Sequence, residues 1–150
     1  MVQAPILNAY DWLDHLADLA FACTDAEASE GADLVREAHS LISAAPALWR
    51  GQFSQLPSSS AIEAVLSQGG ELAAVLALIE NHAGYMLSHS PGGTHLATVV
   101  FEGLTEEASA EGASAALALL GAMAAAMAGP ALDIDGNAIA LAGAADMRIN

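Results

Sequence analysis

The sequence contains no lysine, and its three basic residues are the arginines Arg36, Arg50 and Arg148. Against them stand 18 acidic residues, for a formal net charge of −15. Such a surface repels phosphate at long range and has few cations with which to displace the counterions of nucleic acids or anionic lipids. The charge balance therefore argues against nucleic acid and membrane as partners. It favours a basic protein or peptide, which long-range attraction would steer toward the chain.

Cysteine is almost missing too. Cys23 is the only one, so an internal disulfide is excluded. It closes an apolar helical pattern, where an inert buried thiol is expected, and this accords with a reducing cytoplasm. The opening residues Met1-Val2-Gln3-Ala4-Pro5 carry no basic group, and Asp11, Asp14 and Asp18 interrupt any secretory core. Cytoplasmic location is the expectation. Aromatic residues make up 5% and charged residues 14%, but hydrophobic residues reach 55%. That apolar fraction excludes a disordered acidic tail. The uncharged run 112–132 is long enough to cross a bilayer, yet it is mostly alanine, glycine and serine and has no flanking lysine or arginine. It reads as a buried, closely packed helix.

What is present is alanine, 36 residues of 150. The length suits one domain, and residues 1–150 are expected to form a single all-α bundle of five to six helices around a central alanine-rich helix. In the first helix Ile6, Tyr10, Leu13, Leu16, Ala17, Ala20 and Phe21 fall on one arc, and Asn8, Asp11, Asp14, His15 and Asp18 on the other. Thr24 to Glu27 reads as a capping box that opens a second helix, with Leu34, Val35, Ala38, Leu41 and Ile42 inward, stopped by Pro46. A connector with Trp49, Phe53 and Leu56 leads to a second box at Ser60–Glu63 and a short helix ending at Gly69-Gly70. A fourth helix is expected over about 71–89, carrying Leu72, Val75, Leu76, Ile79, Ala83, Met86 and Leu87 on one face. A fifth is expected after Thr94, although Thr98, Val99 and Val100 also suit a strand. The sixth is expected from Thr105 to about Ala128, ended by Pro130. In the tail 130–150 an Asp135-Gly136 turn between short apolar runs suggests a β-hairpin or an extended segment.

Two side-chain groups are candidates for function. On the expected fourth helix His82, Tyr85 and His89 share a stripe, and His95 follows across a glycine-rich loop. These are candidate catalytic residues. Seven residues of helix separate His82 from His89 by about 10.5 Å, too far to share a metal. His89 and His95 are therefore the candidate metal pair, aided by a carboxylate such as Asp11 or Asp14. The plainer reading is of histidines hydrogen-bonded at the rim of the core. The second group, Asp11, Asp14, His15 and Asp18, is a solvated stripe or a docking surface for a basic partner. No cofactor is implied. Asp133-x-Asp135-Gly136-Asn137 fits neither register of a calcium loop, and no nucleophile elbow or phosphate loop occurs.

Three readings of function follow. The first is a non-enzymatic acidic helical interaction protein (an adaptor, chaperone, inhibitor or assembly subunit) that self-associates through leftover apolar surface. The second is a small metal-dependent or acid–base enzyme at His82, Tyr85, His89 and His95. The third is a carrier of an apolar ligand, with Trp12, Met86, Met123 and Met127 near its cavity.

Overall fold

The computed structural model describes residues 9–46, 56–79, 82–102 and 106–132. Among them α1 (Ala9–Asp25), a single 3-10 turn (Ala28–Glu30), α2 (Gly31–Ser43), α3 (Ser59–Leu66) and α4 (Glu71–Ile79) come first. Three strands follow, β1 (Ala83–His89), β2 (His95–Phe101) and β3 (Ala108–Gly112), and α5 (Ala115–Leu132) comes last. The chain is α+β. The all-α bundle is overturned by an antiparallel sheet of order β1-β2-β3, formed where the end of the fourth expected helix, the fifth, and the first turns of the sixth were placed.

In α1 the buried arc is Trp12, Leu13, Leu16, Leu19 and Cys23, centred away from the arc the spacing suggests. Trp12 sets that orientation, because its indole N–H reaches the Leu41 carbonyl at 2.8 Å inside the core. Tyr10 and Phe21, expected inside, are exposed. The capping box also moves. The Thr24 hydroxyl donates back to Ala20 O at 3.3 Å. The reciprocal pair is instead Glu27 and Glu30, the backbone N–H of Glu27 donating to the Glu30 carboxylate at 2.8 Å. On α3 the cap is Ser58 rather than Ser60, its hydroxyl accepting from Ala61 N at 3.1 Å. After α3 the chain reverses at Gly69, whose φ of 76° favours glycine.

The expected fourth helix stops at Ile79, and the chain continues as the extended strand β1, exposed on both faces after Ala83. The Ser90–Thr94 turn reverses the chain: Ser90 N donates to Thr94 O at 2.9 Å, Gly93 N donates to Ser90 O at 3.0 Å, and Gly93 takes a φ of 93°. Along β2 the β-branched residues settle the strand alternative, with Ala97, Val99 and Phe101 buried on one face. In β3, Ala-Ser-Ala-Glu-Gly, both alanines and the glutamate are good helix formers. Pairing to β2 overrides their propensity, and the small Ala108 and Ala110 let α5 approach closely. Gly112 ends the strand where a Cβ would stand 2.6 Å from Ala118 N.

α5 begins behind Ser114, whose hydroxyl accepts from Leu117 N at 3.1 Å. It packs against α1, α4, β2 and β3 and is buried on every side from Ala116 to Ala124. It runs through Pro130 to Leu132 instead of stopping at the proline. The suggested turn at Asp135-Gly136 lies outside the described residues. Among the described residues no helix is long and apolar enough to cross a membrane.

Candidate functional site

The acidic stripe of α1 forms as its spacing requires. Asp11, Asp14, His15 and Asp18 are all exposed, on a face about 100° wide opposite the Trp12–Leu16–Cys23 arc. A third face lies between stripe and core. Ala17, Ala20, Phe21 and Thr24 look there onto the edge of the sheet, and together with Leu96, Ala110 and Glu111 and with Gly121, Ala125 and Ala128 of α5 they line an open groove of about 500 Å³. The groove exists because its floor is made of small residues. A Cβ on Gly121 would sit 3.2 Å from Cys23 Cβ and 3.3 Å from Ala110 Cβ. Helix, strand and helix thus converge with hardly a side chain between them. Phe21, 74% exposed, stands at the lip beside the acidic stripe. Glu111 supplies a carboxylate at the sheet side.

Below this floor Cys23 is buried, and loss of water pushes its thiol pKa up to about 12, with the nearby charge of Glu37 adding to the rise. The thiol is a small apolar filler, not a nucleophile. On α2 Arg36 holds Glu63 through two hydrogen bonds of 2.6 and 3.1 Å and Asp33 through one of 2.8 Å. The Glu63 hydrogen bond raises the guanidinium pKa, and the same bond lowers that of the carboxyl. This arginine is occupied in tying α2 to α3.

The histidine group does not gather as its helical spacing suggested, because its residues lie on strands. His82 sits just before β1, beside Glu102, and His89 at the opposite end, seven residues or about 23 Å of strand away. Partial burial lowers the His82 pKa, and the carboxylate of Glu102 opposes that shift. Tyr85 lies between them, half exposed. His89 and His95 do meet, as a cross-strand pair with ring centroids 4.9 Å apart and planes tilted by 50°. Beside His89 a smaller polar hollow of about 360 Å³ is lined by Ser88, Ser90, Thr94 and Glu111. Among the described residues no three His, Cys, Asp or Glu side chains are grouped to hold a metal ion. Trp12, Met123 and Met127 are wholly buried core, whereas Met86 is exposed on the other face of the sheet, so these four line no common cavity.

Sequence reasoning missed Phe21, Leu96 and Glu111, since each belongs to the groove only after three distant segments have packed. It also missed β1 as an exposed edge. Residues 83–89 carry no clear alternation, since Tyr85, Met86 and Leu87 are consecutive apolar residues, and Ala83, Met86 and Leu87 continue the helical spacing from Ile79. No protein-family model matches this chain, and no curated protein or solved structure matches it either.

Proposed function

We propose that the protein is a non-enzymatic interaction protein whose groove between α1, β3 and α5 receives a basic amphipathic segment of a partner. One observation carries this reading: an apolar trough of about 500 Å³ runs directly beside a helix face bearing Asp11, Asp14 and Asp18, with Glu111 on the opposite bank. An apolar side chain fits the floor of alanine and glycine, Phe21 packs over it, and cationic groups on either side of that anchor face carboxylates. Helix-in-groove recognition has this arrangement. The net charge of −15 accelerates the encounter, and salt slows it. The lone buried thiol suits a reducing compartment such as the cytoplasm.

The test is fluorescence anisotropy with a labelled amphipathic peptide of leucine and lysine, next to an isosteric peptide of leucine and glutamine. The expected result is saturable binding of the cationic peptide only. It weakens with salt, and both Phe21→Asp and the double change Asp14→Asn and Asp18→Asn reduce it about tenfold or more. Binding indifferent to Phe21, or no binding at low salt, would remove the proposal. The size of the groove also favours a second reading, a carrier of a small apolar ligand, because pockets for such ligands span about 300–1,000 Å³. A ligand retained in native mass spectra and lost on Ala125→Trp would support that reading over the first.

A further inference from the structure

We infer that β1 is a self-pairing edge, joining two copies of this chain through an antiparallel β1–β1 ladder with its twofold axis at Met86. The phase of the hydrogen bonds supports this first. At one end of β1 the His82 carbonyl accepts from Glu102 N at 2.9 Å, and at the other Ser90 N donates to Thr94 O at 2.9 Å. Even-numbered residues therefore turn their N–H and C=O toward β2, and Ala83, Tyr85, Leu87 and His89 turn theirs to the open edge. No other described element is hydrogen-bonded along that edge.

The strand also lacks the devices that keep edges apart. From Ala83 to His89 there is no lysine, no proline, no carboxylate and no bulge. It is the uncharged edge of a strongly anionic molecule, so a second copy can approach here without bringing carboxylate against carboxylate. Both of its faces are apolar and exposed: Met86 is 73% exposed on one, and Tyr85 (43%) and Leu87 (37%) on the other. The side chains of Tyr85 and Leu87 lie on the face that carries α5, but α5 packs mainly over β2 and β3 and leaves them uncovered.

Only one register overlaps all seven residues. It places Met86 opposite Met86, Tyr85 opposite Leu87, Gly84 opposite Ser88 and Ala83 opposite His89. Each outward-turned residue meets another outward-turned residue, and both α5 helices lie on the same side of a six-stranded sheet. A one-residue slip breaks the ladder and sets the apolar inner face of one copy against the outer face of the other. The paired edge is about 23 Å long and, with side chains on both faces, about 15 Å deep, which covers roughly 700 Å² in total. That is less than the ~1,200 Å² at which stable interfaces begin and falls in the range of weak, transient contacts, so the dimer is reversible.

The experiment is sedimentation velocity of the full chain over about a hundredfold concentration range at low and high salt, joined to cysteine cross-linking. The expected result is a monomer–dimer equilibrium that salt strengthens, because screening reduces repulsion between two anionic bodies. Leu87→Pro removes an N–H from the open edge only, so it abolishes the dimer and leaves the monomer's circular dichroism unchanged. Met86→Cys at the axis forms a disulfide-linked dimer on mild oxidation, since opposed Cα atoms in such a pair lie about 4.5 Å apart. Gly84→Cys does not, because its symmetry mate lies about 13 Å away along the strand. The Gly84 site itself tolerates a side chain, with Val100 Cγ1 at 3.7 Å from the added Cβ. A monomer at every concentration, a dimer that persists in Leu87→Pro, or cross-linking of Gly84→Cys as fast as Met86→Cys would each overturn the inference. Should another segment of the same chain occupy the edge, the first of these outcomes appears.

Discussion

The indole N–H of Trp12 in α1 donates to the carbonyl oxygen of Leu41 in α2 at 2.8 Å. That carbonyl, in the last turn of α2, also accepts from Ala44 N at 3.1 Å. The indole therefore finds a polar partner in the core without leaving a backbone group stranded. Trp12→Phe removes the hydrogen bond and part of a wholly buried ring, and urea unfolding should show a loss of about 2 kcal/mol. Trp12→Ala should lose about 4 kcal/mol. A wild-type midpoint in Trp12→Phe would mean that the indole does not set the rotation of α1.

Two glycines separate close approach from collision. On Gly112 a Cβ meets backbone atoms at 2.6 and 3.0 Å, so Gly112→Ala forces β3 and the start of α5 apart. On Gly121 the nearest atoms are at 3.2 and 3.3 Å, and a few tenths of an ångström of give accommodate the methyl group. Thermal melts should rank Gly112→Ala below Gly121→Ala, with losses of about 3 and about 1 kcal/mol. The reverse order would contradict the packing at the start of α5.

Cys23 ties stability to alkaline pH. Its thiol pKa rises from an ordinary 9.0 to about 12 in the fold, so the unfolded chain releases this proton first. The stabilising contribution is complete below pH 9 and disappears as pH rises toward 12. Cys23→Ala should flatten that part of the stability–pH curve, and the native thiol should resist a thiol-reactive dye that labels the unfolded protein at once. Rapid labelling of native protein would contradict the buried site.

Arg36 is the only arginine among the described residues, and its contacts with Glu63 and Asp33 lie at the surface. Exposed ion pairs are screened by salt. Arg36→Ala should lower the melting midpoint at low ionic strength, and the difference from wild type should shrink toward zero in molar salt. A gap that does not change with salt would show that the arginine stem, rather than its charge, stabilises the α2–α3 contact.

The helices were legible where one face alone decides the outcome. Val35, Ala38, Leu41 and Ile42 recur at the helical period and are buried, while Asp33, Glu37 and Ser40 are exposed, as the spacing of α2 requires. The strands were not, for two reasons. Ala83, Met86 and Leu87 fall by coincidence on the helical continuation of Ile79, so periodicity alone does not register where the chain turns. Ala108 to Glu111 carry helical propensity that cross-strand pairing overrides. The acidic stripe could be read because exposure of Asp14 and Asp18 needs only local spacing. The groove could not: whether Phe21 points in or out depends on which arc of α1 meets α5, and that is settled by residues a hundred positions away.

The two margins of the sheet are unlike. β3 is five residues long, holds Glu111 and has α1 packed beside it, while β1 is seven residues long and bare. An open-ended sheet needs two receptive margins, because every added unit must offer a fresh one. Among the described residues β1 is the one bare margin, and the first joining event uses it up on each participant. Association along this sheet therefore terminates at a pair, and a protein with an unguarded strand is spared growth into fibres.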